Sequence, residues 1–256
     1  MYKQIQTIGI IGAGNVATHL VKALSEKASI VGCYSQSGIS AKRLTTELNI
    51  PFIEHINDFP TCDLILICTN DESVLQLINE FSSNQIIAYT SGSVELPQGK
   101  SNVGVFYPLQ TFSKDLDLDL SNVPFLIESE NIALQESLIK LASKISTQVT
   151  ICNSIDRKNL HIAAVFINNF TNHLIYQSQQ FLKDKNLDWR LLLPLLEETI
   201  HKVKSTDPFH TQTGPARRGD RSIIENHLSK LKDDSKAIYQ ALTNSILKTH
   251  HHNDKL

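Results

Sequence analysis

The residues with the clearest chemical potential stand near the start of the chain, in Ile8-Gly9-Ile10-Ile11-Gly12-Ala13-Gly14-Asn15-Val16-Ala17. In a G-x-G-x-x-A spacing the first glycine permits a tight turn and the second lets the backbone approach a pyrophosphate. The small third position, Ala17, lets a helix pack against its strand. A helix beginning there presents unpaired N–H groups and the positive end of its dipole to phosphate. The expected cofactor contacts are therefore Gly12, Gly14, Asn15, Val16 and Ala17. NAD-binding chains place an acid about 20 residues further on, where it holds the ribose 2′-hydroxyl. This chain reads Ser35-Gln36-Ser37 there, with Lys42 and Arg43 following. Hydroxyls and cations suit a 2′-phosphate, which a carboxylate would repel, so NADP(H) is the expected cofactor, with Ser35, Ser37 and Arg43 at that phosphate.

Two more loops follow strand-like runs, at the strand ends where ligands of open α/β sheets bind. Thr69-Asn70-Asp71 and Thr90-Ser91-Gly92-Ser93 add Thr69, Asn70 and Ser91 as cofactor contacts, with Asp71 placed to cap a helix. Hydride transfer also needs a group that gives or takes a proton. His161, Asn168 and Asn172 fall at helical spacing on one face of a long helix, with Lys158 a turn before. His161 is the expected proton donor, and Asn168 or Asn169 orients the substrate. In the loop Thr213–Asp220, Arg217 or Arg218 could clamp a carboxylate or phosphate while Asp220 orients a guanidinium, which makes the substrate anionic. The competing expectation is that Asp220 caps the next helix and the arginines face solvent. Cys33, Cys62, Cys68 and Cys152 form no C-x-x-C pair, so neither a disulfide nor a metal site is expected.

Positioning these groups requires a particular run of elements. Strand-like segments Thr7–Ile11, Ile30–Tyr34, Leu64–Cys68, Gln85–Tyr89 and Val103–Phe106 alternate with amphipathic helical stretches, the pattern of a parallel sheet covered on both faces. A strand, helix and strand over Pro124–Ile127, Ala133–Ile145 and Gln148–Ile151 extend it. After Asn153 the pattern is helical: Ile155–Lys183, Trp189–Val203, Ser222–Leu231 and Asp234–Leu247. The expected fold is α/β, with an N-terminal Rossmann-type domain over residues 1–152 and an all-helical substrate and dimerisation domain over 153–256. A length of 256 residues suits two cores. The chain is 41% hydrophobic and 20% charged with net charge −2, and it has no block of like charge, so neither nucleic acid nor an anionic membrane surface is an expected partner. With no signal-peptide core and no apolar stretch near 20 residues, a cytoplasmic protein is expected. The apolar run Leu191–Leu196 suggests a homodimer.

The GIIGAGNVATHL start, the TSGS loop, the segment Val105–Phe112, the helix segment His161–Phe170 and the loop Thr213–Asp220 together resemble one family over nearly the whole chain. Its members are classed as NADP oxidoreductases in which a Rossmann domain is joined to a C-terminal domain of unknown function. The family is similar in architecture to 6-phosphogluconate dehydrogenases and pyrroline-5-carboxylate reductases. The resemblance implies an NADP(H)-dependent oxidoreductase acting on a small carbonyl, imine or hydroxy compound. It also implies a helical, 6-phosphogluconate dehydrogenase-like second domain that closes the cofactor cleft and often forms a homodimer. Gln110, within one of the matching segments, joins the candidate substrate contacts. Tyr107 departs from the histidine common at that place, and Lys158 with Asn168 does not reproduce the Lys–Asn pair of related dehydrogenases. An NADP-binding sensor or interaction protein without turnover is the alternative.

Overall fold

Period-two alternation of apolar side chains builds the first half of this computed structural model, which describes residues 4–251. Strands β1 (Thr7–Ile11), β2 (Ser29–Tyr34), β3 (Leu64–Ile67), β4 (Ile87–Tyr89), β5 (Val103–Pro108), β6 (Phe125–Ser129) and β7 (Val149–Ile151) form one sheet in the order β2-β1-β3-β4-β5-β6-β7. Ile8, Ile10, Leu64, Leu66, Phe106, Phe125 and Ile127 enter one core. Helices α1 (Asn15–Ser25), α2 (Gly38–Leu48) and α4 (Ile132–Ala142) supply the other wall of that core through Leu20, Leu44 and Leu138. The alternate residues Ile11, Ile65, Ile67, Val105 and Leu126 face Val74 and Ile78 of α3 (Asp71–Glu80). Residues two apart share a face, so strands apolar on both faces must be covered on both.

Neighbouring strands run parallel except β5 and β6, which are antiparallel. The parallel sheet expected of the first five strands is present, and the further strand, helix and strand extend it through the antiparallel β5–β6 pair. Parallel neighbours need a crossover, usually a helix, and residues 109–124 between β5 and β6 contain neither helix nor strand. The cap of α3 differs from expectation. Asn70 takes the N-cap position and Asp71 is the first helical residue; the Asp71 carboxylate accepts from the Ser93 hydroxyl instead. All four cysteines are free and buried, and burial pushes the Cys33 and Cys68 thiols up to about 12.

Among the described residues strands end with β7, and the elements that follow Asn153 are helices. Helix α5 (Ser154–Ala164) passes into a π-helical segment, Val165–Phe170, and then α6 (Thr171–Lys183). The segment holds neither proline nor glycine to explain its wider turn. Compactness divides the chain between Asn169 and Phe170. Within the second unit a 3-10 turn at Trp189–Leu192 leads into α7 (Leu193–Ser205), which has Pro194 in its first turn, where no N–H partner is lost. The short helices α8 (Pro208–Thr211) and α9 (Pro215–Arg218) precede α10 (Arg221–Lys230) and α11 (Asp233–His251). Ala216, Ile224 and Leu247 form a small buried cluster there, with Leu228, Tyr239 and Ile246 packed against it. Among the described residues no helix is long and apolar enough to cross a membrane.

Candidate functional site

Local backbone geometry makes the glycine-rich turn. Gly12 has φ +107°, and a Cβ there would stand 2.3 Å from the Cys68 carbonyl oxygen, so only glycine passes over the end of β3. Gly14, at the N-cap of α1, has open space where a Cβ would be. No side chain caps α1 and no acid occupies its first turn. Its leading N–H groups lack intrahelical acceptors. Ala17 is fully buried, which lets α1 lie close to the sheet. An open, uncapped helix start with positive dipole character fits a pyrophosphate. Asn15 does not cap the helix; its amide donates to the Phe112 carbonyl at 2.8 Å.

At the end of β2, Ser37 occupies the N-cap of α2, and its hydroxyl lies 3.5 Å from that of Ser40. Lys42 extends over the Phe52 ring at 5.2 Å. Arg43 instead lines a small cleft of about 70 Å³ beside Thr18 and Ser40. Hydroxyls and a guanidinium at this strand end fit a ribose 2′-phosphate.

Near the end of β5, the Tyr107 hydroxyl and His161 Nδ1 of α5 are 3.1 Å apart. Burial pushes the Tyr107 phenol up, and the Asp71 carboxylate adds to that rise. Tyr107 therefore keeps its phenolic proton, and in the tautomer where it donates that proton to Nδ1, Nε2 of His161 carries the ring N–H. The TSGS loop packs directly against this pair. A Cβ on Gly92 would lie 2.8 Å from both His161 Nδ1 and Tyr107 Cζ. Tyr107 and His161 line a cavity of about 560 Å³ together with Asn15, Val16, Gln110, Asn168 and Asn169.

The wider π-helical turn brings both asparagines to that wall. Asn172, expected on the same face by α-helical spacing, is an exposed residue of α6. Lys158 is paired with Glu95 at 2.5 Å.

A buried ion pair, which sequence reasoning missed, holds α5 in place one turn before His161. Arg157 is fully buried, pairs with Glu128 of β6, and donates to the Val94 carbonyl at 2.5 Å and to the Ser154 hydroxyl at 3.3 Å. The Ser154 N–H donates to the same Glu128 carboxylate at 2.8 Å. These bonds join α5, β6 and the segment after β4. In sequence, Asp156-Arg157-Lys158 reads as a solvated charged stretch; the only hint lies in Ser154 and the helix start.

Most of the remaining expected residues take part in local hydrogen bonds, while Ser35 is half-buried just after β2. Ser91 is buried, and its hydroxyl accepts from the Ser93 and Val94 N–H groups at 3.1 and 2.9 Å, shaping its own loop. The Thr69 hydroxyl donates to the Asn70 carbonyl at 3.4 Å, and Asn70 Oδ1 accepts from Ser73 at 2.6 Å. Gln110 Oε1 accepts from the Thr111 N–H at 2.8 Å. Arg217, Arg218 and Asp220 belong to the second unit. Arg218 Nε pairs with Asp220 at 2.8 Å, and Asp220, at the N-cap of α10, makes no side-chain cap bond. The Arg217 carbonyl and His251 Nε2 are 2.9 Å apart.

A model of a Rossmann-like domain matches residues 2–111, and a domain of unknown function, DUF2520, matches residues 123–246. A crystal structure from Bacteroides fragilis, described as a "putative NADP oxidoreductase", is 35% identical with a TM-score of 0.88, over 95% of this chain and 98% of that one. This chain belongs to the same Rossmann-like/DUF2520 family. More distant in sequence, and evidence for the fold alone, is a reductive aminase from Aspergillus terreus in complex with NADPH and ethyl-5-oxohexanoate, at 11% identity and TM-score 0.65 over 96% of this chain and 94% of that one. A 1-pyrroline-5-carboxylate reductase from Streptococcus pyogenes stands at 13% and 0.58, over 94% and 98%. No curated protein matches. Within this Rossmann-like/DUF2520 chain, Gly12–Ala17 fall in the first matched range and His161–Asn169 in the second, while Phe112–Lys114 lie in neither.

Proposed function

We propose that this Rossmann-like/DUF2520 protein is an NADP(H)-dependent oxidoreductase acting on a small anionic carbonyl, imine or hydroxy compound, and that it works as a homodimer. The observation that carries this reading is the uncapped start of α1 and the Tyr107–His161 pair meeting at one cavity, through Asn15 and Val16. The description of the Bacteroides fragilis relative and the NADPH complex of the reductive aminase support the choice of cofactor. When bound, NADP(H) supplies or accepts the hydride.

The chain's own residues then have separate tasks. Gly12 and Gly14 let the backbone approach the pyrophosphate, which the N–H groups of Asn15, Val16 and Ala17 hold. Ser35, Ser37 and Arg43 take the 2′-phosphate, and Thr69, Asn70 and the Ser91 loop border the cofactor at the strand ends. His161 gives or takes the substrate proton at Nε2, which makes no hydrogen bond among the described residues, while Tyr107 holds Nδ1. Asn168, Asn169 and Gln110 orient the polar part of the substrate. Arg217 and Arg218 bind its anionic group, Asp220 holding the Arg218 fork. Leu191 and Leu195, both exposed, are offered to the dimer interface.

Calorimetric titration with NADPH and NADH tests the reading. NADPH is expected to bind at least roughly tenfold more tightly, a difference of about 1.4 kcal/mol that Arg43→Ala narrows. His161→Ala should retain NADPH binding and lose NADPH consumption with carbonyl and imine substrates. Absence of NADPH binding to the unaltered protein would overturn the assignment.

A further inference from the structure

The segment joining β5 to β6 is latched across the glycine-rich turn by three bonds. The Asn15 amide donates to the Phe112 carbonyl at 2.8 Å, His19 Nε2 lies 3.0 Å from the Ser113 carbonyl, and Lys114 Nζ donates to the Ala13 carbonyl at 2.8 Å. Phe112 is buried against the His19 ring, with centroids 5.3 Å apart, so the latch is anchored by packing as well. It delivers an ammonium group onto the residue between Gly12 and Gly14.

We infer that Lys114 is a phosphate ligand for the dinucleotide, supplied from outside both the glycine-rich turn and the strand end to which sequence reasoning assigned the cofactor cations. This inference rests on the cofactor reading above and adds a residue to it. An ammonium carries three N–H donors, and the Ala13 carbonyl is the one acceptor that Lys114 engages among the described residues. Neither Lys114 nor Arg43 forms an ion pair among those residues, whereas Lys22 pairs with Asp117 and Lys42 lies over Phe52. Lys114 and Arg43 line the same small cleft, together with the hydroxyl residues Thr18 and Ser40. Glu47 and Asp115 also border it, and neither forms an ion pair with Lys114 or Arg43 among the described residues. A lysine held by a backbone carbonyl at the turn acts as a point charge with free donors, which suits either the pyrophosphate or the 2′-phosphate.

Calorimetric titration of the full chain and of Lys114→Ala with NADPH, NADH, ADP and 2′,5′-ADP tests this and needs no substrate. Thermal unfolding of both proteins without nucleotide controls for folding, and Lys114→Arg provides a charge-conserving rescue. NADPH affinity is expected to fall roughly tenfold in Lys114→Ala, to recover in Lys114→Arg, and to lose part of its dependence on salt. A loss confined to NADPH and 2′,5′-ADP assigns Lys114 to the 2′-phosphate; a loss shared by ADP and NADH assigns it to the pyrophosphate. NADPH binding by Lys114→Ala within about twofold of the unaltered chain overturns the inference and leaves the cofactor reading intact. Failure of the unaltered chain to bind any of the four overturns the cofactor reading itself.

Discussion

The two units bury apolar surface in opposite ways. In the first, the sheet is closed on both faces, and large side chains such as Tyr89, Phe106 and Phe125 are completely enclosed. In the second, the buried cluster is Ala216, Ile224 and Leu247, while Leu191 is 76% and Leu195 66% exposed. An apolar groove of about 450 Å³, lined by residues including Leu174, Phe181, Leu182, Leu192 and Leu242, adds to that surface. A strand apolar on both faces must be covered by its own domain, whereas a helix can offer one stripe to a partner. The sheet that carries the glycine turn and Tyr107 is thus covered within the first unit, although α5 and the π-helical segment leave Ile162, Phe166 and Ile167 exposed. The exposed leucines of the second are the surface the proposed homodimer would use.

The comparison breaks most sharply at the ion pair inside the first unit. Glu128→Ala leaves the Arg157 guanidinium buried without its carboxylate and should cost about 3–5 kcal/mol in urea unfolding. Adding Arg157→Met should recover much of that loss. A cost under about 1 kcal/mol for Glu128→Ala would mean that the pair does not hold α5 to the sheet. Next, Gly92→Ala forces a Cβ against Tyr107 and His161 and should cost about 1–3 kcal/mol in thermal unfolding. Turnover should fall further than that cost alone explains, because the pair is displaced.

A third effect follows from the enclosed thiols of the first unit. Burial raises the Cys33 and Cys68 thiols from an ordinary value near 9 to about 12. Their contribution to stability is complete below pH 9 and is lost as pH rises towards 12, because the unfolded thiols ionise first. Denaturant melts between pH 9 and 10 should show a loss of about 1 kcal/mol per thiol, reduced by that share in Cys68→Ala. A flat profile would contradict the enclosure of these thiols. The smallest stability effect belongs to the second unit. Leu195→Glu should change unfolding by no more than about 0.5 kcal/mol at concentrations below dimer dissociation, yet shift sedimentation at higher concentration from dimer to monomer. An unaltered dimer would exclude Leu195 from the interface.

Much of this molecule is legible along the chain. The turn at Gly12, the open approach at Gly14, the small Ala17 and the alternation of β1, β3 and β5 depend on neighbours a few residues apart, so spacing alone announces them. The change from strands to helices after β7 is visible for the same reason. What the order of residues conceals is any partnership across the chain. Tyr107 meets His161 over a separation of 54 residues, Arg157 meets Glu128 over 29, and Lys114 reaches Ala13 over 101. The antiparallel β6 and the π-helical turn that gathers Asn168 and Asn169 belong with them. Backbone conformation is set by short-range sterics and by hydrogen bonding within a few residues. The bonding partner of a buried polar group is set by which distant elements pack beside it, and that is decided only when the sheet and its helices close.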